Sequence, residues 1–290
     1  MLQMIVERTR QPKPTPRLPQ FKPLSLRMRS VYSFSSTLMI SPMSEPLPWT
    51  NYFSQNIHVP SSKDPSLIFN VYFSPPKAPN APVYVFHHGA GSSALSFSLV
   101  AEQLISSISC GVITFDVRHH GLTVIDESQE WDLRLDTLAE DEIDVVKGVA
   151  AYAGWDAGHW PDIIVVGHRY LESLYEHSIT LNSLGGAVSA HIAANNLLPT
   201  LCLCVIDVVE GSAMDALRGM QTYLSTRPTN FDSLETGIRW HLQSRTVRNR
   251  ESARVSVPPL LVQDSGHWNW RTDLGKTRRF WEGIFRHRIR

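Results

Sequence analysis

Val165-Val166-Gly167-His168 and Ser183-Leu184-Gly185-Gly186 are the two halves of a single motif, separated by the fourteen residues Arg169 to Asn182. Joined, they read V-V-G-H-S-L-G-G, a G-x-S-x-G sequence in which a serine stands on a sharp, strained turn from a β-strand into an α-helix. The flanking glycines are required because strand and helix close on each other at that corner. With the fourteen residues in place, Leu181 and Asn182 precede Ser183 where Gly167 and His168 otherwise would. A leucine at the cramped position is expected to clash or force the turn open, and a misplacement of about 1 Å costs about 10²-fold in rate.

Outward from the corner, strands and helices alternate. Ile163 to Val166 is an apolar strand before the corner, and Gly185 to Asn196 is the helix after it. Upstream, Ile57 to Val59 and Leu67 to Phe73 read as paired strands across the polar connection from Pro60 to Pro65. Pro82 to Phe86 is a strand ending in His87-His88-Gly89-Ala90-Gly91, and Gly111 to Phe115 is one ending in Asp116-Val117-Arg118-His119-His120-Gly121. Between them, Phe97, Val100, Leu104 and Ile108 mark the buried face of a helix. A second helix, about Leu138 to Trp155, buries Ile143, Val146, Val149 and Ala150, and Leu201 to Val208 is a further strand. This order predicts an α/β fold with a doubly wound, mainly parallel sheet. Ligands of such sheets bind at the carboxyl ends of the strands, where His87 to Gly91, the corner and Asp207 all fall. The expected boundaries are a disordered basic leader over 1–45, a core over 46–211 with 169–182 inserted, and a helical cap with a closing segment over 212–290. Met214, Leu217 and Met220, then Leu234, Ile238 and Leu242, supply the apolar faces of the cap helices.

Composition limits the function classes. The chain has 290 residues, 42% hydrophobic, with a formal net charge of zero. That balance gives no electrostatic case for nucleic acid or an anionic membrane, and no apolar run is long enough to span a bilayer. Cys110, Cys202 and Cys204 fall in strands, the last two on the same face of one strand. They are expected to be reduced thiols of an intracellular protein, cytoplasmic or nuclear. The first thirty residues hold seven basic residues against Glu7 alone, with five prolines that oppose a regular helix. A solvated tail is the expected reading, and a transit peptide is its rival.

The candidate chemistry is nucleophilic. Ser183 is placed to attack, with the Leu184 N–H as one oxyanion donor; on these residues alone it is equally readable as a helix N-cap. Gly89, Ala90 and Gly91 form a loop whose backbone offers the second donor, from Ala90 or Gly91. Asp207 follows the serine at a strand end and reads as the acid that orients a histidine, or as a turn aspartate. Asp116, Arg118 and His120 read as a structural loop beside the site. His267 follows Gly266 but reads as a surface histidine. No metal or organic cofactor is expected.

Taken together, these residues resemble the protein phosphatase methylesterase family, serine hydrolases of the α/β-hydrolase fold. The likeness is carried by Pro48-Trp49 with Tyr52-Phe53, by His88 to Ser96, by Asp116-Val117-Arg118 with His120-Gly121, and by Ser183 to Ala187. Cys204 to Leu217 is the most specific stretch, followed by Arg248 to Ser256 and by Trp270-Arg271 with Leu274, Lys276-Thr277 and Trp281. The resemblance implies that Ser183 is the nucleophile and Asp207 the acid. It implies a methyl ester on the carboxyl-terminal leucine of the phosphatase 2A catalytic subunit as substrate, and that subunit as partner. It also implies a catalytic histidine in a carboxyl-terminal region, beyond two further strands, that this chain lacks. The chain as written is therefore expected to have little esterase activity. A non-enzymic phosphatase-binding relative and a small-ester carboxylesterase are the competing readings. Codons AGG for Arg169 and AGT for Ser183 would let the inserted stretch be excised with GT and AG borders, so a retained intron is its expected origin. Transcript sequence across the corner tests this.

Overall fold

The computed structural model describes residues 7–8, 44–156, 160–168, 184–206, 224, 226–277 and 279–280. Its main sheet contains seven strands: β1 (Glu7–Arg8), β2 (Gln55–Pro60), β3 (Ile68–Ser74), β4 (Val83–His87), β5 (Gly111–Phe115), β6 (Ile163–His168) and β7 (Thr200–Ile206). They lie in the order β1-β7-β6-β4-β5-β3-β2. β2 and β3 form an antiparallel hairpin, β3 runs antiparallel to β5, and β5, β4, β6 and β7 are mutually parallel. β1 meets β7 antiparallel over its two residues.

The central strands are short β-branched and aromatic runs, and β5 is buried along its whole length, as a strand covered on both faces must be. Helices α1 (Ser98–Ser107), α2 (Leu135–Ala153) and α3 (Leu184–Ala194) supply the cover. One apolar cluster joins α2 and α3 to Phe69, Val85, Ile113 and Val165; the other joins the α1 side to Tyr72, Phe86, Val112 and Val166. α2 ends at Gly154, whose φ of 68° gives the left-handed closing residue that glycine adopts without steric cost. The helix expected from Phe97, Val100, Leu104 and Ile108 exists with a different inner face. Phe97 and Ala101 are buried, whereas Val100 and Ile108 are 39% and 45% exposed. A short 3-10 turn over Ala94–Phe97 precedes α1 and shifts the phase of the pattern.

Beyond the main sheet, α4 (Leu234–Gln243) and α5 (Arg250–Ser256) pack with a second, three-stranded antiparallel sheet. Its strands are β8 (Asn230–Phe231), β9 (Leu261–Asp264) and β10 (His267–Trp270). Ser265 and Gly266, both at positive φ, make the tight turn between β9 and β10. Ile238 is buried on α4 with Leu234 and Leu242 half-buried beside it, as their spacing predicts. Met214, Leu217 and Met220 lie outside the described residues.

Candidate active site

Three parallel strands end level with one another. His87 pairs with Gly167 across β4 and β6, and Gly167 with Val205 across β6 and β7. α3 starts at Leu184 and drops directly onto these ends. A Cβ added to Gly167 would lie 2.3 Å from the Gly185 carbonyl oxygen and 2.5 Å from the Gly186 Cα. A Cβ on Gly185 would lie 2.1 Å from the His87 carbonyl oxygen and 3.0 Å from that of His168. The two halves of the motif are therefore in van der Waals contact despite the residues between them. Gly167 packs at the tight place against the helix, and Leu181, from which a clash there is expected, lies outside the described residues. Strand and helix are each fixed by their own core contacts, so the intervening stretch does not decide which residue fills the corner. Ser183 and Asp207, with Arg169 to Asn182, lie outside the described residues. Leu184 is buried at the start of α3, where the first N–H groups have no intrahelical acceptor.

Opposite the corner, the loop after β4 is tied to the loop after β5. The His88 Nδ1–H donates to the Gly89 carbonyl at 2.8 Å, and its Nε2 accepts the Val117 N–H at 3.0 Å. The His120 Nδ1–H donates to the Arg118 carbonyl at 2.9 Å, and its Nε2 accepts the Gly91 N–H at 3.0 Å. Each arrangement requires a neutral imidazole protonated at Nδ1. Burial favours that state, pulling His120 down to about 4 and His88 well below the usual histidine value. The Gly91 N–H is thus committed, and of the two residues named for the loop donor Ala90 remains. Gly89 contributes its carbonyl, which also accepts the Ser92 N–H at 3.2 Å. Gly91 itself needs its freedom, at φ 78° with the Leu274 side chain against its Cα.

Asp116 is wholly buried and acts as a bracket. Its carboxylate accepts the Ala94 N–H at 2.7 Å, the Asn70 side-chain N–H at 2.8 Å and the Leu122 N–H at 2.8 Å. Burial raises its pKa, against the pull of those donors. Arg118 makes a two-bond pair with Asp141 on α2, 2.6 Å at each contact. These geometries match the structural reading of Asp116, Arg118 and His120. The sequence did not reveal that His88 and His120 hold the loop backbone; two histidines beside glycines at neighbouring strand ends were the available signal.

Of the other described histidines, His87 and His168 end β4 and β6 at the corner, whereas His191, His241 and His267 lie on other elements. His267 is exposed on β10, with its Nδ1 3.8 Å from Asp232. His241 is buried among Phe231, Trp240 and Trp270, donating from Nδ1 to the Gly237 carbonyl at 2.8 Å. His191 pairs with Asp136 on the surface of α3. Cys110, Cys202 and Cys204 are free thiols. Among the described residues no cluster of His, Cys, Asp and Glu is placed to hold a metal ion, and no helix is long and apolar enough to cross a membrane.

No protein-family model matches the chain. It is similar in structure to E-2-(acetamidomethylene)succinate hydrolase, with a TM-score of 0.55, 16% identity, and coverage of 80% of this chain and 73% of that one. It is also similar to an alpha/beta hydrolase from Novosphingobium aromaticivorans, with a TM-score of 0.51, 16% identity, and coverage of 76% and 68%. These likenesses establish the α/β-hydrolase fold. By sequence it is 44% identical over 249 residues to protein phosphatase methylesterase 1 of Gibberella zeae, covering 83% of this chain and 58% of the relative. It is 33% identical over 289 residues to the protein of that name from Rattus norvegicus, covering 83% of this chain and 68% of the relative. The chain thus spans little more than half the length of several curated relatives it matches. A corner closed by Gly167 on Gly185, facing a His88-to-Gly91 loop, is what those relationships call for, and the chain belongs to the protein phosphatase methylesterase 1 family.

Proposed function

We propose that the chain is built to hydrolyse the methyl ester of a protein carboxyl terminus, that of the phosphatase 2A catalytic subunit. The observation carrying this reading is the corner itself, closed by Gly167 against Gly185 and Gly186 and facing a loop fixed by His88 and His120. In it, the Ser183 oxygen attacks the ester carbonyl, and the charge that develops on oxygen is met by the N–H groups of Ala90 and Leu184. Methanol leaves, and water then releases the acid from the acyl-serine. Asp207 would orient the histidine that moves the proton. Neither His241 nor His267, the described histidines that follow Asp207, faces the corner. An intracellular location, cytoplasmic or nuclear, goes with this substrate.

The insertion decides how much of this activity the chain delivers. Ser183 directly precedes Leu184 in sequence, and fourteen extra residues separate it from His168. Deleting Arg169 to Asn182 is expected to raise fluorophosphonate labelling of Ser183 by about 10²-fold or more, the cost of about 1 Å of misplacement. Methanol release from methylated phosphatase should rise with it. Equal labelling with and without the stretch would overturn the claim that it impairs the site. Retained phosphatase binding with no labelling in either form would favour a non-enzymic binder.

A further inference from the structure

A cavity of about 430 Å³ opens beside the corner, and its lining includes His168, Ser92, Ser96, Arg245, Arg248 and Asn249. Among the described residues its lining has two arginines and no Asp or Glu. Three arginines elsewhere are paired with carboxylates: Arg118 with Asp141, Arg134 with Asp132, Arg279 with Glu130. Arg245 and Arg248 have no carboxylate partner among the described residues. The first-turn acid of α5, Glu251, instead accepts the Tyr52 hydroxyl at 2.8 Å. The loop that bears the two arginines is held in place by the Val247 N–H on the His241 carbonyl at 3.0 Å and the Ser244 hydroxyl on the Trp240 carbonyl at 2.8 Å. Arg245 itself sits at φ 62°, the left-handed residue that follows the cap of α4 and ends the helix.

We propose that Arg248, with Arg245 beside it, binds the carboxylate side chain of an acidic residue in the substrate's tail, close to its esterified end. This inference rests on the function proposed above. The esterified terminus is neutral, so it is not the anion that the pocket takes before reaction. An extended peptide advances about 3.3 Å per residue. The pocket shares walls with His168, the last residue of the corner strand, and with Ser92, next after the loop donors. A side chain entering it therefore belongs to one of the last few residues. A guanidinium meets a carboxylate with two parallel hydrogen bonds, and the Asn249 side-chain N–H, whose Oδ1 accepts the Ser252 N–H, adds a neutral donor beside it.

The test measures binding of short labelled peptides to the 290-residue chain by fluorescence anisotropy. Three peptides are compared: a methyl ester with aspartate near its end, the same ester with asparagine, and the asparagine peptide with a free carboxyl terminus. The aspartate ester is expected to bind about threefold to tenfold more tightly than the asparagine ester. The gap should narrow as salt rises. It should vanish in Arg248→Gln, persist in Arg248→Lys, and reverse in Arg248→Glu, where the asparagine ester binds more tightly. Equal affinity for the two esters, or no binding of either, overturns the proposal. So does a free-terminus asparagine peptide that binds as well as the aspartate ester, which would make the pocket a reader of the product's end. Fluorophosphonate labelling in the same samples separates the two readings. A labelled serine without charge preference removes this inference alone; charge preference without labelling, both in this chain and after deletion of Arg169 to Asn182, leaves recognition standing and removes hydrolysis.

Discussion

Gly185 shows how little room the corner leaves. Its missing Cβ would lie 2.1 Å from the backbone oxygen of His87, an atom that cannot rotate away. Gly185→Ala must therefore lift α3 off β4, and a loss of about 1–3 kcal/mol is expected, as in other overpacked sites. The urea midpoint should fall with an unchanged slope. Gly154→Ala is the control, because nothing lies within 4 Å of its Cβ position and only its φ of 68° resists the change. At this scale the sequence was informative about kind and silent about place. The need for glycine at Gly167 and Gly185 was legible in the motif. That Gly167 would pack on the helix across the fourteen intervening residues was not, because chain adjacency alone does not bring it there. Nor could spacing foretell that the Gly91 N–H is taken by His120.

Between elements, the loops after β4 and β5 behave as a single unit held by His88, His120 and Asp116. His120→Ala leaves the Gly91 N–H without an acceptor in a buried loop, a change worth about 1–3 kcal/mol. The expected result is a lower melting temperature together with slower fluorophosphonate labelling of Ser183, since the loop donor at Ala90 loses its brace. Labelling that stays at the parent rate while stability falls would limit His120 to a purely structural part. The parallel strands were readable from sequence because a strand buried on both faces must be apolar throughout, as Gly111 to Phe115 is. The inner face of α1 was not, since Val100 and Ile108 repeat at helical spacing yet face outward. The small sheet of β8, β9 and β10 was missed for a related reason: short strands bearing Trp268 and Trp270 carry little periodicity.

For the molecule as a whole, buried ionisable groups set the response to pH. Burial holds His87 at about 3, His119, His120 and His241 at about 4, and His88 well below the usual value. Below pH 6.5 the unfolded chain takes up protons that these imidazoles refuse, so stability must fall as pH drops from about 6.5 toward 4. Glu142 works in the opposite direction. It is wholly buried on α2 with neither carboxyl oxygen bonded among the described residues, and burial raises its pKa to about 8. As pH climbs from about 4.5 to 8, the unfolded chain gives up a proton that folded Glu142 keeps, so stability declines over that range. Below pH 6.5 the five histidines outweigh the three buried carboxyls whose pKa burial raises, Glu142, Asp141 and Asp116, which places the maximum near that value. Urea denaturation across pH should show both limbs, and Glu142→Gln should flatten the alkaline one alone. The corner has a consequence for chain continuity as well. Because β6 and α3 are each anchored by their own neighbours, the peptide link from His168 to Leu184 is dispensable to their meeting. A break placed inside 169–182 should yield two polypeptides that find each other when co-expressed and co-purify as one particle. If so, the fold treats its most chemically demanding turn as a seam.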